Sequence, residues 1–122
     1  MDETMIRDLL DVELATTLTR IRAMKADLEA IDAGSANANT DDEHDPEGST
    51  LAYERAQVAA LLVQAQSNLE DLNCAQGRLA EGTYSTCEQC HSEISAERLL
   101  ALPAGRVCID CANNATREQH LS

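Results

Sequence analysis

The sequence predicts a mainly α fold: a long antiparallel helical hairpin of the coiled-coil kind, then a C-terminal four-cysteine finger and a short terminal helix. Three observations predict it. Apolar residues recur in heptads on both sides of a polar, acidic break, and two Cys-x-x-Cys pairs lie near the C-terminus. The third is a shortage of aromatics, with two Tyr, no Phe and no Trp in 122 residues. A compact core usually draws much of its buried area from such rings, so stability must come from an aliphatic helix seam and a metal.

The first helix is read from Leu14, Ile21 and Leu28, which fall seven apart, and from Leu10, Met24 and Ile31 in the alternate register, interrupted by Thr17. This a/d seam persists for about three heptads, longer than an amphipathic helix lying on a globular core requires. It predicts a helix over 1–33, stopped at Gly34. The next stretch, SANANTDDEHDPEGS from Ser35 to Ser49, carries Pro46 and Gly48 and reads as a connecting tip.

From Thr50 the heptads resume. Leu51, Val58, Ala65, Leu72 and Leu79 share one register, with Leu62 and Leu69 in the other, flanked by Arg55 and Gln76. A second helix of about 30 residues, roughly 45 Å long, follows, and Gly82 closes it. Similar helix lengths and a short connection favour pairing within one chain, hence a monomer rather than a dimer. The expected division is a hairpin over 1–81, with an acidic tip near 35–49, and a finger with terminal helix over 82–122.

Charge narrows the function. Asp and Glu number 22 against 9 Lys and Arg, for a net charge of -13, and the basic residues are scattered from Arg7 to Arg117. No basic stripe is present to neutralise phosphates, and the finger's cations are Arg98, Arg106 and Arg117, so direct sequence-specific DNA binding is not expected. No apolar run approaches the roughly 20 residues that span a bilayer, and the start, MDETMIRDLL, is acidic. A cytoplasmic protein is expected, and five cysteines in a reducing compartment suit metal binding better than disulfides.

The metal motif is Cys87-Glu88-Gln89-Cys90, seventeen intervening residues, then Cys108-Ile109-Asp110-Cys111. Two residues between thiolates let both sulfurs face one ion, and two such pairs complete a tetrahedral shell. Four thiolates leave no open position, so the expected cofactor is one structural zinc, and the protein is not expected to be an enzyme. Iron in the same cage is the alternative metal. The chemical rival is a dithiol redox centre, but such a pair ordinarily stands alone in a βαβ setting that this sequence lacks. His91 adjoins Cys90 and reads as an exposed loop residue; Cys74 reads as a spare surface thiol.

At the tip, Asp41, Asp42, Glu43, Asp45 and Glu47 fall within seven residues. Their plain reading is a solvated turn, with Asp45 capping a helix that begins at Pro46. The spacing of an EF-hand calcium loop is absent.

From Gly82 to Cys111 the sequence resembles the DksA/TraR family of bacterial transcription regulators. That family's finger reads approximately G-x-Y-G-x-C-x-x-C-G-x-x-I-x-x-x-R-L-x-A-x-P, then four residues and C-x-x-C. Gly82, Tyr84, Cys87, Cys90, Ile94, Arg98, Leu99, Ala101, Pro103, Cys108 and Cys111 match it, while Ser85 and His91 replace family glycines. The resemblance implies RNA polymerase as partner, with the hairpin in its secondary channel and tip aspartates near the catalytic magnesium. Those aspartates belong to a D-x-x-D-x-A motif. One alignment places it on Asp42-Glu43-His44-Asp45-Pro46-Glu47, with Glu47 in place of alanine, and another starts it at Asp45. Leu102 and Ala112 occupy positions where members that answer to ppGpp carry basic residues, so weak coupling to that nucleotide is implied. The alternative is a zinc-stabilised coiled coil that acts on some other partner.

Overall fold

A computed structural model describes residues 2–37 and 46–121. Its elements are four helices, α1 (Glu3–Asn37), α2 (Pro46–Glu81), α3 (Ala96–Ala101) and α4 (Ile109–Leu121), and α1 and α2 form a long helical hairpin. Among the described residues the only β feature is one isolated antiparallel bridge between Thr86 and Glu93.

Local chemistry sets the helix ends. Asp2 caps α1: its Oδ1 accepts from the Thr4 backbone N–H at 3.1 Å, meeting one of the donors that a helix start leaves open. Pro46 occupies the first position of α2, where its fixed φ suits the helix and its missing N–H costs nothing. The end of α2 is a Schellman cap. Thr83 N–H donates to the Arg78 carbonyl at 2.9 Å, Gly82 N–H donates to that of Leu79 at 3.2 Å, and Gly82 has φ of 82°.

α1 overruns the end drawn from sequence, continuing through Gly34 to Asn37, whereas α2 starts at Pro46, the residue at which the plain reading of the tip begins a helix, one turn ahead of the heptads that resume at Thr50. A helical glycine costs about 1 kcal/mol against alanine, which the surrounding turns absorb, so Gly34 marks no stop. The tip acids Asp42 and Asp45, with Asp41 and Glu43, lie outside the described residues.

The chain divides into two compact units, residues 15–69 and residues 1–14 with 70–122. In the first, Thr17, Ile21 and Ala65 are buried, and Met24, Leu28, Ile31, Val58, Leu62 and Leu69 are half-buried, as the two-column seam demands. Arg55 Nε donates to Asp32 Oδ1 at 2.7 Å across the helices, a contact that raises the guanidinium's pKa. The pair is about half exposed, so it fixes register more than it adds stability.

In the second unit the buried face is broader. Ile6, Leu10, Leu72 and Ala75 from the hairpin join Tyr84, Cys87, Ile94 and Leu99 from the finger in one core. Ile6 and Ala75 are off the heptad seam, and they are buried because the finger covers a helix flank that a two-helix pair leaves wet. Gln76 Nε2 donates to Asp11 Oδ1 at 3.0 Å here. Residue numbers in this pair and in the Asp32–Arg55 pair each add to 87, the mark of antiparallel pairing.

Candidate metal centre

The finger begins where α2 stops. After the Gly82 cap the chain doubles back on itself: Cys87 N–H donates to the Ser92 carbonyl at 2.8 Å, and Ile94 N–H to that of Ser85 at 2.7 Å. Between these bonds Cys87 to Cys90 form a tight knuckle, closed by His91 N–H on the Cys87 carbonyl at 3.0 Å. His91 holds this turn at φ of 61°, the left-handed region that favours glycine. It is exposed and stands outside the metal-binding group.

That backbone makes a test possible. An L-residue held left-handed is strained by about 1–2 kcal/mol relative to glycine. We expect His91→Gly to be more stable than His91→Ala by about 1 kcal/mol, read from denaturant midpoints of the zinc-loaded protein.

The second pair is delivered by α4. Cys108 accepts the first helical bond, from Ala112 N–H at 3.0 Å, and so sits at the cap of α4, with Cys111 in its first turn. A helix N-terminus carries partial positive charge, which favours thiolates there. The segment leading into Cys108 is pinned from three directions. Arg78, on α2, donates to the Gly105 carbonyl at 3.2 Å, Arg98, on α3, to that of Val107 at 3.0 Å, and Arg106 pairs with Asp71 at 3.2 Å. Glu88 N–H on the Arg106 carbonyl at 2.9 Å ties this segment to the first knuckle. Arg98 and Arg106, two of the finger's three cations, thus hold its own scaffold together.

The helix α3 was not resolved by the sequence reading. Ser95 caps it, accepting from Arg98 N–H at 3.2 Å, and the helix turns Leu99 into the core and Arg98 toward Val107. The Ser95 cap followed by Ala-Glu-Arg-Leu-Leu, with Pro103 just beyond, was the available signal. Tyr84 then closes the module, its hydroxyl donating to the Pro103 carbonyl at 2.7 Å. Burial pushes that phenol's pKa up and keeps it a donor.

The Sγ atoms of Cys87, Cys90, Cys108 and Cys111 all lie within 4.8 Å of one another, and Cys90 and Cys108 are 3.6 Å apart. A tetrahedral zinc with bonds of about 2.3 Å needs sulfur separations of about 3.8 Å, so the four residues fit one ion. Cys108 N–H also donates to Cys87 Sγ at 3.3 Å, the kind of outer bond that orients a ligating thiolate. Backbone N–H groups, that of Cys90 foremost, lower the Cys87 thiol to about 6 against the opposing effect of burial. Cys90 is lowered as well, chiefly by the Ser92 side chain, whereas Cys111 is pushed up to about 12, first by the Cys108 thiol and then by that of Cys90. Cys87 and Cys90 ionise more readily than an ordinary thiol, and crowding hinders Cys111. A divalent cation removes that conflict by holding all four as thiolates. Cys74 lies apart from this group, exposed on α2.

A helical hairpin ending in a four-sulfur cage defines a small protein with a structural C4 zinc finger. Residues 82–117 match the prokaryotic dksA/traR C4-type zinc finger, so the C-terminal third of the chain is a finger of that family. The solved structure of transcription factor DksA2 from Pseudomonas aeruginosa shares the fold, with a TM-score of 0.79 over 97% of this chain and 85% of that one, at 24% identity. An uncharacterized protein of Aquifex aeolicus is 38% identical over 52 residues, 43% of this chain and 36% of its own length. General stress protein 16O of Bacillus subtilis is 32% identical over 73 residues, 60% of this chain and 45% of its own length. The chain therefore spans less than half the length of these curated relatives. No described helix is long and apolar enough to cross a membrane.

Proposed function

We propose that this protein is a transcription factor of the DksA/TraR type that acts by binding RNA polymerase rather than by catalysis. The observation that carries the reading is the joining of a dksA/traR finger, its four cysteine sulfurs gathered within 4.8 Å, to a long helical hairpin in one chain. The hairpin enters the secondary channel of polymerase and brings Asp42 and Asp45 near the catalytic magnesium. There the two carboxylates compete for the ion or disturb the loops around it, changing the lifetime of promoter complexes. The protein works in the cytoplasm as a monomer, and zinc holds the hairpin's base in shape.

Leu102, about half exposed, offers no charge to a polyphosphate, and Ala112 offers none either, so ppGpp has little effect on the factor. Arg98 and Arg106 are engaged by the Val107 carbonyl and the Asp71 carboxylate, which fits docking on protein better than on DNA.

The test is binding of the zinc-loaded chain to purified RNA polymerase, followed by transcription from promoters that respond to it. Replacing both Asp42→Asn and Asp45→Asn is expected to leave binding within about threefold, since neither acid lies in the seam, yet to abolish the effect on transcription. Failure of the native chain to bind polymerase would favour the coiled-coil module with another partner. An unchanged response from the double variant would remove the tip from the mechanism.

A further inference from the structure

Beside the core of the finger, and apart from the metal, a half-open cavity of about 270 Å³ is lined by residues from four stretches of chain. Leu79, half-buried in the last turn of α2, gives the cavity an apolar floor, backed by Ile6 from the first turns of α1 and by Tyr84 and Ile94 from the finger, all three nine-tenths or more buried. Glu3 and Glu93 line the same cavity as exposed carboxylates, and no basic residue does.

Size and charge select the occupant. Sites for drug-sized molecules and nucleotides begin near 300 Å³ and bury most of the ligand, so a half-open space of this volume suits a single side chain. Two carboxylates without a cation exclude anions. An aliphatic floor below acidic walls matches an amphipathic cation, whose methylenes are buried while its head group meets the carboxylates. One internal competitor exists: Arg7 reaches Glu3 Oε1 at 3.3 Å, but both side chains are about 60% exposed, and an exposed i,i+4 pair gives way easily.

We infer that this cavity is a docking pocket for an arginine or lysine side chain of a protein partner, held between Glu3 and Glu93 over Ile6 and Ile94. Because the pocket leaves one side open, such a side chain gains little alone. It acts as one anchor of a larger interface, where neighbouring contacts exclude water from the ion pairs. The inference does not depend on which protein supplies the side chain.

Its test uses N-acetyl-arginine methylamide as the probe and the citrulline analogue, equal in shape but uncharged, as the control. Both are titrated into the zinc-loaded full chain while NMR signals are followed. The arginine compound is expected to shift the Ile6 and Ile94 methyls and the Ser85 and Glu93 amides saturably, with Kd on the order of 1 mM. Citrulline should leave them still. The Glu3→Gln, Glu93→Gln double variant, with zinc content and helix signal unchanged, should bind at least tenfold more weakly. Equal shifts from citrulline, unsaturable shifts spread over the acidic surface, or unaltered binding by the double variant would overturn the inference. Saturation below about 0.01 mM would also overturn it, because a lone cation held that tightly makes the pocket a site for a free ligand.

Discussion

Stripping the zinc at neutral pH with a strong chelator is expected to unfold the finger and fray the helix ends packed against it. Tyr84, Cys87, Ile94 and Leu99 are the finger's only buried residues among those described, and one of the four is itself a ligand. So few buried side chains cannot offset the ordering of more than 30 residues at about 1–2 kcal/mol each for the backbone alone. Structural zinc sites supply on the order of 10 kcal/mol of folding free energy, enough to decide the balance. In NMR spectra, signals of Tyr84, Ile94 and Leu99 should collapse together, those of Ile6 and Leu10 should broaden, and one equivalent of zinc should restore them. Metal-free protein with native spectra would show that packing suffices.

Acid should act in the same direction. Zinc holds its ligands as thiolates, so protons compete with the metal for Cys87, Cys90, Cys108 and Cys111, and metal release takes up protons. Stability of the finger is expected to fall as pH is lowered, with zinc release and loss of the Tyr84 and Ile94 signals occurring together.

The second large effect is expected at Leu10, far in sequence from any cysteine. Leu10 has no exposed surface and sits in the same core as Cys87 and Leu99. Leu10→Ala should cost about 2–5 kcal/mol and hasten zinc release to a coloured chelator, because the cavity opens under the finger. Leu28→Ala, in a half-buried seam position of the other unit, should cost less and leave zinc release unchanged. Equal zinc release from the two variants would mean that the finger folds without the hairpin's support.

Much of this was legible because it is local. Heptads fix which faces of α1 and α2 pair, Gly82 fixes where α2 stops, and two Cys-x-x-Cys pairs state their own geometry. What escaped depends on partners distant in sequence. Nothing in the neighbourhood of Ile6 or Ala75 announces burial, since the finger that covers them arrives some 80 residues after one and just beyond the other. Arg98 and Arg106 read as surface cations because their acceptors, the Val107 carbonyl and the Asp71 carboxylate, are brought to them by the fold and leave no mark in composition. The overrun past Gly34 reflects a glycine penalty small against the pairing of two long helices.

The replacement of a family glycine by His91 was visible, and the structure supplies its cost: the knuckle demands a left-handed residue whatever the side chain. The departure is tolerable because His91 is exposed and carries no ligand duty.

The most direct measurement of the central claim is site-specific photocrosslinking from position 42 or 45 of the zinc-loaded chain to assembled RNA polymerase. Crosslinks are expected to the segments that surround the catalytic magnesium, suppressed by zinc removal or by an unlabelled competitor chain. Crosslinks confined to the outer surface of polymerase, or none above those to an unrelated protein, would contradict it.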